Sequence, residues 1–224
     1  MNGPELDRWT IAAGRALASP AARLAAYDFF RTPLLRPIDA VLLDELYDAH
    51  GSDLDSLAGL VMQEWRRTAG SGEEGMDAEV HATEIRREFT RLCVGPRRPK
   101  VPLYESVHRS PEHLLNQAPM LDVRALYRQW GLSVEGSGLA DDHLGHELQF
   151  VFALLAMEEA ARSGEPQRAA EIRKGQELIL EAHLLRWAPH MCVEALAHVT
   201  LPFWKGYFAA LQALLVAEMH RLEM

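Results

Sequence analysis

Five prolines, Pro96, Pro99, Pro102, Pro111 and Pro119, crowd one stretch of a chain whose apolar residues otherwise recur at helical spacing. Proline removes a backbone donor and clashes with the preceding turn, so no continuous helix crosses this stretch. The chain must therefore form helices on both sides of an irregular connection, placed at 95–119. No segment sustains the apolar–polar alternation of a strand, and the fold class is all-α. A connection longer than about 15 residues inside a compact domain tends to be functional or disordered. Its apolar Val101, Leu103, Tyr104 and Val107 predict an ordered loop lying on the core.

With 48% apolar residues, 224 residues can bury one full core, and the reading is a single helical bundle over 1–224. Leu54, Leu57, Leu60, Val61 and Trp65 mark a helix over Asp53–Arg67, followed by a flexible glycine-bearing break near 69–76. A second helix is expected from Met76 to Cys93, stopped by Gly95 and Pro96. Further helices are expected over Asp122–Trp130, ended by Gly131, and over Asp141–Arg162. The last starts near Leu201, with Pro202 in its first turn and a stripe of Trp204, Phe208, Leu211, Leu215, Met219 and Leu222.

Charge narrows the function. A formal net charge of −9 argues against nucleic acid, whose phosphates need clustered Lys and Arg. Cys93 and Cys192 stand far apart, outside any Cys-x-x-Cys spacing, and read as core thiols in a reducing compartment. Charged residues interrupt the N-terminal apolar residues, and the longest apolar run, Phe150–Met157, is far short of the roughly 18 residues that span a bilayer. The expected location is the cytoplasm, without membrane insertion. Gly70, Gly72 and Gly75 match a dinucleotide fingerprint only as a string, since they follow a helix and carry Glu73 and Glu74 among them. Arg97, Arg98 and Lys100 form a local basic patch that could meet an anion.

The densest polar cluster is Asp141-Asp142-His143-Leu144-Gly145-His146-Glu147-Leu148. Leu144, Leu148, Val151 and Leu155 keep a core-facing helical stripe, which sets His143 over Glu147 on an adjacent face. Asp141 and Asp142 can cap this helix or face its positive end. A metal-dependent hydrolase using His143, His146 and Glu147, with His183 or His190 from another helix, is one reading of the cluster. The spacing does not match a zincin helix, because Phe150 stands where the second histidine belongs. A polar docking surface is the other reading.

Two blocks of sequence carry a resemblance. Glu88-Phe-Thr-Arg-Leu-Cys-Val-Gly-Pro96, followed by Pro102-Leu-Tyr-Glu-Ser-Val107, is similar to the Glu-aromatic-x-x-Leu-Phe-x-Gly-Pro block and loop of the TorD/DmsD-like chaperones. Asp142-His143-Leu144-x-x-Glu147-Leu148-x-Phe150, preceded by Tyr127 and Gly131-Leu132, resembles that family's Pro-Asp-His-Leu-x-x-Glu-Leu-x-Phe. A weaker third block is His183-Leu-x-x-Trp187-x-Pro189. Asp141 replaces the usual proline and Cys93 the usual phenylalanine. The nitrate-reductase branch of the family shares this general form.

The resemblance implies a cytoplasmic maturation chaperone without enzymatic activity or cofactor. It would bind the twin-arginine signal peptide or apo-form of a molybdoenzyme precursor and hold it back from export. The implied peptide site comprises Asp142, His143 and Glu147 for charge, with Leu92, Cys93, Gly95, Pro96, Tyr104 and Ser106 around them. Either a monomer or a domain-swapped dimer fits such a bundle.

Overall fold

The structure, a computed structural model, describes residues 3–69, 78–95 and 98–224. Eleven α-helices are found among the described residues: α1 Gly3–Leu17, α2 Pro20–Leu35, α3 Ala40–His50, α4 Leu57–Ala69, α5 Ala78–Phe89, α6 Glu105–Arg109, α7 Ala118–Gln129, α8 Leu144–Ala161, α9 Pro166–Ile179, α10 Leu185–Leu196 and α11 Pro202–Glu223. Two π-helical turns, Thr90–Val94 and Leu180–Leu184, extend α5 and join α9 to α10. No strand forms among the described residues, and the fold is all-α.

Local chemistry sets several boundaries. Ser19 and Asp39 accept the Ala22 and Leu42 amides and so cap α2 and α3. Pro20, Pro166 and Pro202 occupy first turns, where a missing N–H costs nothing. The π turn after α5 closes with the Gly95 amide on the Thr90 carbonyl at 2.6 Å, and Gly95 takes φ 56°, ψ 159°. That combination is open essentially to glycine alone, which accounts for the stop expected there. Pro96, the other half of that stop, and the expected break near 70–76 lie outside the described residues.

Helix α11 is the central post. Trp204, Tyr207, Phe208, Leu211, Leu214 and Leu215 are buried on it, and α10, α4 and α1 pack around them. Of its expected stripe, Met219 instead reaches solvent, because Glu218 turns inward to a buried ion pair with Arg23. A second layer is formed by α2, α8 and α9. The core runs without interruption through both layers.

The proline-bearing stretch departs from a plain loop. It carries the short helix α6, and α7 already begins at Ala118. Val101 and Leu103 are buried as expected, and the Val101 amide bonds the Leu92 carbonyl at 3.0 Å. Residues 103–105 lie antiparallel to 142–144 through a single bridge, Tyr104 to His143, with Leu144 N–H on the Leu103 carbonyl and Glu105 N–H on the Asp142 carbonyl. This strap is what positions the site.

Candidate functional site

The strap and the start of α8 hold each other through Asp142. Its Oδ2 accepts the Ser106 amide at 2.8 Å and the Ser106 hydroxyl. Tyr104, the residue before α6, offers that helix no side-chain cap, so Asp142 supplies one from across the fold. The cap of α8 itself is His143, whose Nδ1 accepts the Gly145 amide at 3.1 Å. This corrects the expectation that Asp141 or Asp142 would cap that helix. Asp141 turns outward to Arg124 at 2.8 Å, and its carbonyl accepts the Tyr127 hydroxyl.

Burial dominates the electrostatics. Asp142, Glu105 and Glu147 are all fully buried. Glu105 pairs with Arg109 and with His183 Nδ1 at 2.9 Å. Glu147 Oε2 accepts the Trp187 indole N–H at 3.2 Å, while Glu147 Oε1 and Asp142 Oδ1 find no hydrogen-bond partner among the described residues. Desolvation, then the charges of Glu105 and Asp142, push the Glu147 carboxyl well above its ordinary range. Desolvation also raises Asp142, opposed by its Ser106 bonds. His143 goes the other way: burial, with His146 nearby, lowers its imidazole to about 3. A neutral ring is what its capping role requires, since only an unprotonated Nδ1 can accept from Gly145.

The same device recurs elsewhere. Glu88 accepts the Thr200 amide and hydroxyl and the Leu201 amide, closing the N-terminal end of α11 from over a hundred residues away. These bonds and Arg91 outweigh the opposing effect of burial and hold its carboxyl below the ordinary range. Both acids that head the motif blocks, Glu88 and Asp142, therefore act as remote caps that pin one helix to another.

The sequence model of the nitrate reductase delta subunit family matches residues 52–193, well over half of the chain, and spans both motif blocks and the strap. The chain belongs to that family. Delta-family proteins are molybdoenzyme maturation chaperones whose partners are molybdoenzyme catalytic subunits. No curated protein matches the chain at a significant level. No helix among the described residues is long and apolar enough to cross a membrane.

Within this delta-family fold, Asp142, His143, Tyr104 and Ser106 do converge, with the Tyr104 ring edge-on to His143 at 5.0 Å. Glu147 lies one turn below. Leu92 and Cys93 are core residues of the first π turn, and burial lifts the Cys93 thiol to about 12. The Leu92 carbonyl accepts the Val101 amide ahead of the strap, and Pro96 falls outside the described residues. The carboxylates of Asp142 and Glu147 do not line an open edge as expected; both are fully buried, Asp142 against Ser106 of the strap and Glu147 against Trp187. Of the residues in the metal alternative, His143 Nδ1 accepts from Gly145, His146 Nδ1 donates to the Ala140 carbonyl at 2.9 Å, and Glu147 Oε2 accepts from Trp187. Among the described residues no three His, Cys, Asp or Glu side chains are grouped to hold a metal. Sequence reasoning passed over Glu105, Arg109 and the direct roles of His183 and Trp187. The third motif block was their signal, because His183 and Trp187 both face this acidic interior.

Proposed function

We propose that this delta-family chaperone binds the twin-arginine signal peptide of its molybdoenzyme client in the cytoplasm, holding the precursor back from export until its cofactor is inserted. One observation carries the reading: two buried carboxylates, Asp142 against the strap and Glu147 one turn below it, each keep an oxygen without a donor among the described residues. A buried acceptor left unpaired costs free energy, and a guanidinium offers a fork of donors suited to carboxylates. The strap is held at the start of α8 by two backbone bonds and by the Ser106 amide and hydroxyl on the Asp142 carboxylate. A client peptide in extended form replaces residues 103–105 along 142–144, a strand-exchange mode of recognition. Its arginines then reach Asp142 and Glu147, while its apolar part lies toward Tyr104 and the Gly95 turn.

The test is titration of a labelled client signal peptide into the whole chain. Glu147→Gln keeps the Trp187 contact but removes the chargeable group, and it should weaken binding about tenfold. Replacing the peptide's two arginines by lysines should cost a similar factor. If Glu147→Gln and Asp142→Asn both bind the peptide as tightly as the parent chain, the acids are not the docking groups.

A further inference from the structure

On the other side of α6 lies a cavity of about 410 Å³, between the proline-bearing segment and α10. Arg98, Lys100, His108, His113, His190 and Glu194 border it, with Pro99, Pro102 and Val107 as apolar wall. The volume falls within the range of small-molecule sites, about 300–1,000 Å³. Two of the imidazoles are fixed in place. His108 donates Nε2–H to the Pro102 carbonyl at 2.7 Å and stacks on Trp187 at 5.1 Å between ring centres. His113 sits in a left-handed turn, φ 52°, and donates Nδ1–H to the Val107 carbonyl at 2.8 Å. Because carbonyls only accept, His108 Nδ1 and His113 Nε2 remain as the proton-binding atoms.

The charge here runs against that of the whole molecule. On a chain of net charge −9, this cavity gathers a guanidinium, an ammonium and three imidazoles against one carboxylate. That carboxylate, Glu194, lies 3.4 Å from His190 Nε2. His108, His113, His190 and Glu194 border the same space, and burial lowers the His108 imidazole from its ordinary value. Neither the strap nor the acids beneath it need this arrangement.

We propose that this cavity is a binding site for a small phosphate ester, with the phosphate held by Arg98, Lys100 and the imidazoles and the organic part against Pro99, Pro102 and Val107. A multiply charged anion draws on cations from several sides at once, which a single carboxylate does not. The cavity is larger than a bare phosphate fills, and its remaining wall is apolar. The cavity adjoins the peptide site through Pro102, Val107 and the His108–Trp187 stack, but its cations Arg98 and Lys100 take no part in the proposed peptide docking, so substituting them tests this proposal alone.

Calorimetric titration of inorganic pyrophosphate into the whole chain at low ionic strength tests this. One saturable site is expected, and added salt should weaken it. Arg98→Gln with Lys100→Gln should weaken it about tenfold or more, and His113→Ala severalfold. Glu194→Gln should tighten it, and Arg36→Gln, remote from the cavity, should leave it unchanged. Absence of saturable binding at low ionic strength would overturn the proposal, as would an affinity untouched by the double substitution. So would zinc, titrated alone, binding stoichiometrically in the parent chain but not in His113→Ala, because the cavity would then be a cation site.

Discussion

Glu147 and His143, four residues apart on one helix, titrate in opposite senses, and each leaves its own mark on stability. The Glu147 carboxyl is raised in the folded chain, so its contribution is fully present below the ordinary carboxylate value of about 4.5 and is lost as pH rises through the folded value. Urea unfolding from about pH 5 to about pH 8 should therefore show the parent chain losing stability relative to Glu147→Gln as pH rises. Parallel curves would mean that Glu147 ionises normally. His143 is lowered from 6.5 to about 3, so its contribution is present above 6.5 and lost as pH falls toward 3. His143→Asn keeps a capping side chain without the titration, and it should flatten the acid limb of the same curve. The raised Glu147 also bears on the proposed peptide site. An arriving arginine favours the carboxylate, so docking should release a proton and strengthen as pH rises. The identity of these side chains was readable in the sequence, but their burial was not. Trp187, 40 residues from Glu147, and Ser106, 36 residues from the neighbouring Asp142, enclose this cluster, and no local pattern records such partners.

At the scale of elements, the stops and the two longest helices were readable and the shortest helix was not. The apolar stripes of α8 and α11 and the Gly95 and Gly131 stops follow from periodicity and backbone freedom. Helix α6 has five residues among prolines, too few to stand by propensity, and exists because Asp142 caps it from afar. Ser106→Ala removes a hydroxyl donor from Asp142 and an acceptor from the Gln117 amide, a loss of about 1–3 kcal/mol. Hydrogen exchange should quicken at the amides of residues 105–107 and leave α11 unchanged; uniform quickening would mean that the strap does not open by itself. A second element-level constraint is Gly59 on α4. A Cβ there would stand 1.8 Å from the Asp53 carbonyl oxygen, so the turn before α4 has to move in Gly59→Ala. Thermal melting should fall by several degrees, in line with a loss of about 2 kcal/mol.

For the whole molecule, the family match ends before α11, yet the core does not. The buried Arg23–Glu218 pair ties α2 to α11, joined by the Tyr27 hydroxyl and, through Gln176, by Glu158 and Arg173. Removing one side of a buried pair strands the other, so Glu218→Ala should cost about 3 kcal/mol or more in urea unfolding. Arg23→Met combined with Glu218→Leu should recover part of it, and equal losses in the single and double variants would contradict this account. Such long-range pairing was not readable in the sequence, where Arg23 and Glu218 look like ordinary surface charges. The run from Pro166 to Leu196 has a consequence of a different kind. Helix α9 packs on α8, α10 packs on α11, and the π turn at Leu180–Leu184 stands between them. A π turn carries one residue more than an α turn and so advances the phase of everything after it by about 100°. The run works as a crankshaft, with one throw seated in each layer. Deleting a single residue from Leu180–Leu184 would straighten the shaft and swing Trp187, Met191 and Cys192 out of the α11 layer, although every helix would still form.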